Sequence, residues 1–369
     1  MLTKFEVENF KSFKENFVFD LSEIKNYEFN DECVKDGIIN KAIIYGNNGC
    51  GKSNLGYAIF DLVSHLTDKE FNHRRYKNYL NVECREEIAK FKFHFKFDNA
   101  IIEYSYGKKE VGLVVYETLK INDEDVVKYT RGKPVVINLK GAETLNTDLS
   151  GSKISALKYI RNNAALAPRD KNNIALKKFY DFVDRMLFFR SLDENDYIGY
   201  ETGSGDIVEY ILKKGLLKKF ENFLNEAGVD CKLKALEING KEDLAFAFGN
   251  ESIRFLDAAS TGTMSLILFY FWLQRLKEKN GVSFVFVDEF DAFYHHKLSK
   301  LIVCELKKTQ AQVVLTTHNT SIMTNDLLRP DCYFIMHKKQ IAPVYQFTEK
   351  ELRNAHNIEK MYKAGAFDV

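Results

Sequence analysis

The stretch Gly46-Asn47-Asn48-Gly49-Cys50-Gly51-Lys52-Ser53 constrains this chain more than any other. It follows the apolar run Ala42-Ile43-Ile44-Tyr45 and precedes a helix-like run from Asn54 to Leu66. This is the strand, glycine loop and helix order in which backbone N–H groups converge on a phosphate. The glycines let the loop curl, Lys52 can neutralise β- and γ-phosphates, and the Ser53 hydroxyl can ligate Mg²⁺. The strand before and the helix after weigh against the alternative, a glycine-rich turn that binds nothing.

With 369 residues, 45% of them hydrophobic, the chain can bury a large core and is expected to hold two or more subdomains. Lys+Arg 53 against Asp+Glu 52 leaves a formal charge of +1, so any nucleic-acid contact must come from a local patch. Cys33, Cys50, Cys84, Cys231, Cys304 and Cys332 form no C-x-x-C pair and have no histidine at metal-ligand spacing, which argues against zinc or a disulfide framework. Lys4, Glu6, Glu8, Lys11, Lys14 and Glu15 break up the N-terminus, and no uncharged apolar run approaches about 18 residues. Neither a signal peptide nor a membrane span is expected, and a reducing, cytoplasmic setting fits. Pro134, Pro168, Pro330 and Pro343 are the only prolines, so no proline-rich linker divides the chain, and there is no internal repeat.

Two alternating runs, Phe5-Glu6-Val7-Glu8 and Phe17-Val18-Phe19-Asp20-Leu21, predict an antiparallel hairpin or meander, and the segment from there to Asn40 reads as loop. Between Lys69 and Glu87, Arg74, Arg75 and Lys77 interleave with Tyr76 and Tyr79. Such a stretch can touch nucleic acid, although a solvated helix or loop is the commoner explanation. From Ile88 to Leu139 the period is two, through Phe91–Phe97, Ile101–Tyr106, Leu113–Leu119 and Val135–Leu139, which predicts a half-buried antiparallel sheet with turns at Asp98-Asn99 and Tyr106-Gly107. His94 falls on its polar face and reads as a surface histidine. Helical spacing returns from Ser152 to Asn195, including Leu176, Phe179, Phe182, Val183 and Met186, and again from Ile207 to Glu226. Both runs are expected to pack on the sheet.

Gly228 to Leu256 reads as three short strands. Ala258-Ala259-Ser260-Thr261-Gly262-Thr263 then leads into an apolar helix from Met264 to Lys277. A Ser-x-Gly pair at a helix start is an anion site or simply a capped helix. Ser283-Phe284-Val285-Phe286-Val287-Asp288-Glu289 has the form of a central parallel strand ending at a ligand crevice. There Asp288 can hold Mg²⁺ through water and Glu289 can take a proton from an attacking water. An acidic cap on the following helix is the plainer reading of Asp-Glu, but it leaves the apolar run unexplained. Gln312-Val313-Val314-Leu315-Thr316-Thr317-His318-Asn319 is a second buried strand ending in polar groups, and His318 could reach a γ-phosphate.

Taken together, Asn9-Phe10-Lys11-Ser12-Phe13, the Gly46–Ser53 loop, Ser260-Thr261-Gly262-Thr263, Asp288-Glu289-Phe290-Asp291 with His295, and Thr316-Thr317-His318-Asn319 resemble the ATPase heads of ABC type. Within these the order is most similar to the RecF, SMC and OLD-like branch. The wide separation of Lys52 from Asp288 exceeds what a compact AAA+ module needs. The tail, Asn325-Asp326-Leu327-Leu328-Arg329-Pro330-Asp331 and Glu359-Lys360-Met361-Tyr362, is similar to stand-alone bacterial ATPases of phage-defence and abortive-infection operons.

The resemblance implies an α/β fold, a P-loop NTPase of ABC-ATPase type with an antiparallel β subdomain and a helical insertion. Its parts would be an N-terminal ATPase lobe over 1–140, the insertion over 141–230 and a C-terminal lobe over 231–369. It implies ATP and Mg²⁺ as ligands. Gly46, Asn47, Asn48, Gly49, Cys50, Gly51, Lys52, Ser53 and Asn54 would hold the nucleotide, with Lys11 or Phe13 nearby, and Ser53 and Asp288 would serve the metal. Two heads would sandwich two nucleotides, with Ser260 and Gly262 of one subunit reaching the γ-phosphate held by Lys52 of the other and Asp291 at the joint. Glu289, His318 and Lys52 would carry catalysis. One departure stands out. The family places a glutamine after a strand of the first lobe, whereas the first glutamine here is Gln274, so either another side chain substitutes or coupling is done differently, and slow hydrolysis is expected.

The leading expectation is an ATPase whose nucleotide-gated dimerisation, or assembly into larger sets of pairs, switches a separately encoded effector, a nuclease or a toxin, in antiviral defence. The alternative is a RecF-like clamp closing on DNA, which the near-neutral charge disfavours. A third is an ATP-locked scaffold without turnover. An OLD-type nuclease would need more chain after His318 than is present, and a transporter subunit would need a membrane partner and the missing glutamine.

Overall fold

The structure is a computed structural model describing residues 1–69, 76–149, 151–190, 197–199, 207–238, 240–292 and 296–367. Among these residues lies a seven-stranded sheet in the spatial order Tyr197–Gly199, Met186–Arg190, Phe284–Asp288, Gln312–Thr316, Lys41–Tyr45, Tyr333–Met336, Ile341–Pro343. The five inner strands are parallel and the two outer ones antiparallel. Lys41–Tyr45, Phe284–Asp288 and Gln312–Thr316 are buried along their whole length, which is why they read as continuous apolar runs rather than as alternation. All three run the same way, so the loop after Tyr45, the carboxylates after Val287 and the polar residues after Leu315 emerge at one edge.

The helix Lys52–Leu66 packs on this sheet at Gly56, where a Cβ would come within 2.7 Å of the Phe188 ring and 3.0 Å of the Phe286 ring. Only a glycine lets the helix approach that closely. On its other side the helix meets a second sheet, antiparallel and seven-stranded. Its order is Val136–Ile137, Glu124–Thr130, Leu113–Ile121, Ala100–Glu110, Ala89–Phe97, Leu2–Glu8, Phe17–Asp20. The buried side chain of Gln312 ties the two sheets, accepting from the Leu2 amide at 3.0 Å and donating to the Leu2 and Ile39 carbonyls at 2.8 and 3.0 Å.

The meander and its turn at Asp98 follow the alternation in the sequence, but Tyr106-Gly107 is not a turn. Both residues lie inside the strand Ala100–Glu110, and the chain reverses at Val111-Gly112 instead. Gly107 is needed for a different reason. A Cβ there would sit 2.3 Å from the ring of Tyr116 on the next strand, and the register shifts at this point as in a β-bulge. Tyr76 and Tyr79 also differ from expectation, being 4% and 6% exposed, so they pack in the core and offer no platform for nucleic-acid bases. Arg74 and Arg75 lie outside the described residues.

Helical periodicity ends earlier than expected. Ala156–Asn163 and Lys171–Asp184 are helices against the antiparallel sheet, where Phe95 meets Phe179 at 5.2 Å and Phe182 at 5.4 Å. Met186, whose spacing continues the helical pattern, opens the strand Met186–Arg190 beside Phe284–Asp288. Three-residue spacing and a short buried strand look alike over so few residues, and here pairing decides. The second run divides into Ile207–Lys213 and Leu217–Glu226. These pack not on the large antiparallel sheet but on a small one, Leu233–Ile238, Lys241–Phe248 and Glu251–Arg254, and on the helix Thr261–Lys277, with Phe220 5.0 Å from Tyr270. No described helix is long and apolar enough to cross a membrane.

Candidate functional site

The loop after Tyr45 owes its shape to three glycines. Gly49 and Gly51 have φ of 76° and 109°, left-handed values that cost an L side chain free energy. Gly46 has no room for a Cβ, which would meet the Met336 carbonyl oxygen at 2.5 Å and Cys50 Sγ at 2.8 Å. Asn47, Asn48 and Gly49 are exposed at the crest, while Cys50 and Lys52 are buried beneath it. The first-turn amides of the following helix have no carbonyl four residues back to bond, and its dipole adds partial positive charge at the same place. Lys52 curls back so that Nζ donates to the Gly46 carbonyl at 2.8 Å, with the Asn47 carbonyl at 3.4 Å. Burial lowers its pKa, opposed by Cys50 and by the carboxylates of Asp288 and Glu289.

Those carboxylates come from the neighbouring strand end. Ser53 Oγ donates to Asp288 Oδ2 at 2.6 Å, and Thr316 Oγ1 donates to Asp288 Oδ1 at 2.7 Å. The same Thr316 hydroxyl accepts the Glu289 amide at 2.8 Å, and the Thr316 carbonyl accepts that of Phe290 at 3.1 Å. These bonds hold Glu289 at φ 48°, a conformation a glutamate rarely adopts and one that turns the chain sharply after the strand. Asp291 accepts from Thr317 Oγ1 at 2.6 Å and from Ser299 Oγ at 3.4 Å. His318 Nε2 lies 3.1 Å from Lys52 Nζ. Burial and the Lys52 charge lower the His318 pKa against the pull of Glu289, Asp291 and Asp288. Beside an ammonium, Nε2 must be the acceptor, which places the imidazole proton on Nδ1.

Lys52, Ser53, Asp288, Glu289, Asp291 and His318 therefore come together at this edge. Thr316 and Thr317 stand out in the sequence only as neighbours of His318, yet they orient all three acidic residues. Polar residues at the end of an otherwise apolar buried strand are the signal that could have marked them. Phe13 approaches the loop, whereas the Lys11 ammonium donates to the Lys77 carbonyl at 3.2 Å and lies 5.8 Å from the Tyr57 ring on the helix that follows the loop. Phe13 is buried against Phe17 at 4.6 Å, and a Cβ on Gly51 would lie 3.7 Å from its ring. Between Lys11 and Phe13, Ser12 Oγ accepts from Asn54 Nδ2 at 2.9 Å. Ser260 caps the helix Thr261–Lys277, its Oγ accepting from the Thr263 amide at 3.2 Å, and a Cβ on Gly262 would meet only Ser260 Oγ, at 3.9 Å. The strand end paired with Asp288 carries Arg190. His295 lies outside the described residues.

The donor set suits Mg²⁺: a hydroxyl and a carboxylate, oxygen only, lie within hydrogen-bond distance at the foot of an amide-lined loop. A triphosphate suits the loop itself, where Gly49 leaves space on the side a Cβ would fill.

Residues 41–324 match the protein family described as "AAA domain, putative AbiEii toxin, Type IV TA system". No curated protein matches the sequence. Among solved structures, the chain is similar to one described as the SmcHead bound to the C-winged helix domain of ScpA, at 14% identity and a TM-score of 0.50, covering 93% of this chain and 97% of that one. The SMC head domain from Thermotoga maritima is similar at 17% identity and a TM-score of 0.46, covering 93% and 98%. The first of these likenesses is one of fold.

Proposed function

Because the chain belongs to the AbiEii-type AAA domain family, we propose that it binds ATP with Mg²⁺ at the Gly46–Ser53 loop, hydrolyses it slowly and pairs with a second copy of itself as it does so. Through that cycle it would govern a separately encoded effector in antiviral defence, a role in keeping with the toxin–antitoxin description of the family. The observation that carries the reading is the meeting of Lys52, Ser53, Asp288 and His318 through contacts of 2.6–3.1 Å at one edge of the parallel sheet.

Lys52 and the loop amides neutralise the phosphates. Ser53 and Asp288 would hold the cation, which would supply positive charge to offset the negative charge that develops on the triphosphate. Glu289, turned out of the strand by its left-handed backbone, accepts the proton of the attacking water. His318, neutral and donating from Nδ1 or reoriented from Lys52, supports the γ-phosphate. Each chain supplies only part of the charge stabilisation, since the Ser260–Gly262 helix start is a separate weak anion site. Two such sites complete each other by association, with Asp291 at the joint.

The test is phosphate release and ATP binding by purified protein. Glu289→Gln is expected to slow release by about 10²–10⁴ while keeping ATP bound, and Lys52→Ala to lose binding itself. Sedimentation of Glu289→Gln with ATP should show a pair that disperses without nucleotide. Unchanged turnover in Glu289→Gln removes Glu289 as the base, and wild-type protein that ignores ATP removes the reading.

A further inference from the structure

The phosphate-loop helix carries two ionisable residues one turn apart, Asp61 and His65, both buried. Asp61 Oδ1 accepts from the Tyr79 hydroxyl at 2.9 Å, and Oδ2 from the Tyr106 hydroxyl at 2.9 Å and Lys108 Nζ at 2.7 Å. His65 stacks on the Tyr106 ring at 4.2 Å and bonds Glu117 at 2.8 Å, and Glu117 also accepts from the Tyr104 hydroxyl at 2.7 Å. A buried ion pair gives little stability beyond what well-packed apolar residues would, so its geometry is the more informative property.

One arm of this network returns to the loop. The Tyr79 carbonyl accepts the Lys11 amide at 3.0 Å, Asn81 Nδ2 donates to the Lys11 carbonyl at 2.6 Å, and Lys11 Nζ donates to the Lys77 carbonyl at 3.2 Å. Lys11 has φ of 48°, so its backbone depends on these partners to stay where it is. Its ammonium lies 5.8 Å from the ring of Tyr57 on the phosphate-loop helix, and the adjoining Ser12 bonds Asn54. The segment from Lys77 to Asn81 thus grips Lys11, and Asp61 grips that segment through one hydroxyl.

We propose that Asp61 is a positioning residue for nucleotide binding, setting the place of Lys11 through the Tyr79 hydroxyl. The proposal rests on the reading that the Gly46–Ser53 loop binds ATP with Lys11 beside the nucleotide. The Glu117 half of the network serves as an internal control, because Tyr104 is likewise buried and bonded to a buried carboxylate but belongs to the strand Ala100–Glu110.

The experiment titrates the full chain with a fluorescent ATP analogue and follows thermal unfolding in parallel. Tyr79→Phe is expected to weaken affinity about tenfold, the scale of one buried hydrogen bond to a charged group. Tyr104→Phe should leave affinity unchanged despite a similar loss of thermal stability. In a Lys11→Ala background, Tyr79→Phe should have no further effect on affinity, since both act on one contact. Asp61→Asn, which keeps the shape, should move affinity in the same direction as Tyr79→Phe. Unchanged affinity in Tyr79→Phe, equal losses in Tyr79→Phe and Tyr104→Phe, or full additivity with Lys11→Ala would overturn the proposal. If instead Lys52→Ala binds as well as wild type, the nucleotide reading itself fails and this inference with it.

Discussion

Lys52 Nζ lies 3.1 Å from His318 Nε2, joining the phosphate loop to the end of the strand Gln312–Thr316. The contact is possible only because Lys41–Tyr45 and Gln312–Thr316 are adjacent and parallel, so that the loops leaving the two strands emerge on the same side. It also gives the histidine a defined protonation state. A neutral imidazole accepting from an ammonium is compatible with a dense cluster of cations and carboxylates, whereas an imidazolium facing Lys52 would repel it.

His318→Ala is expected to reduce ATP turnover by roughly 10–10³, the scale of one lost transition-state contact. ATP affinity should change far less, because Lys52 keeps its partners at Gly46 and Asn47. Steady-state phosphate release alongside equilibrium titration separates the two effects. A variant that loses binding and turnover together would assign His318 to the ground state.

Acid should destabilise the protein in the range where free histidine titrates. The pKa values of His65 and His318 are both lowered, with burial the largest cause at each. Between these folded values and the ordinary one near 6.5, the unfolded chain binds more protons, so stability falls as pH falls. Glu117 extends the trend to lower pH: burial raises its pKa, but His65, Ser155 and Tyr104 outweigh it and the net shift is downward. The thermal midpoint should hold above about pH 6.5 and decline towards about pH 5. A flat profile would contradict the buried, neutral state of both imidazoles.

Removing the cation should silence turnover without unfolding the chain. Ser53 and Asp288 are already bonded to each other, and Thr316 holds the second Asp288 oxygen, so the site is built from protein contacts alone. Chelation is expected to abolish phosphate release reversibly on return of Mg²⁺ and to leave the thermal midpoint of the nucleotide-free protein in place. Asp288→Asn should raise the Mg²⁺ concentration required for half-maximal release by about tenfold or more.

Gly56→Ala should destabilise even though alanine is the better helix former by about 1 kcal/mol. The added methyl would press on the rings of Phe188 and Phe286, and overpacking of this kind costs about 1–3 kcal/mol. A lower denaturant midpoint in Gly56→Ala is the expected result. A higher one would mean that the two rings yield readily.

Lys108→Met should be among the most damaging single changes away from the site, costing about 3–5 kcal/mol, because it leaves Asp61 buried without its cation. Replacing Asp61 and Lys108 together by apolar residues of similar size should cost much less. Chemical denaturation of the two variants makes the comparison, and equal losses would show that packing, not charge, dominates there.

Much of this molecule is legible in the order of its residues. The phosphate loop, the acidic strand, the strand before His318 and the alternating sheet each carry their signal locally, in glycine placement, unbroken apolar runs or a period of two. These are properties of a few consecutive residues, and backbone sterics and burial act on them wherever they are placed. The N-terminal meander and the capping of the helix Thr261–Lys277 by Ser260 are legible for the same reason.

The tertiary structure alone decided everything set by a partner distant in sequence. Met186 continues a helical period, but the open edge of Phe284–Asp288 makes it a strand. Gly107 has the look of a turn residue, yet it is the Tyr116 ring that requires its missing side chain. Tyr76 and Tyr79 read as surface aromatics among basic residues and are instead core, one of them bonded to Asp61. The Asp61–Lys108 pair and the hold of Thr316 on Asp288 and Glu289 left no trace of partnership in the sequence, because no local spacing encodes a contact between residues that only the packing of two sheets around one helix brings together.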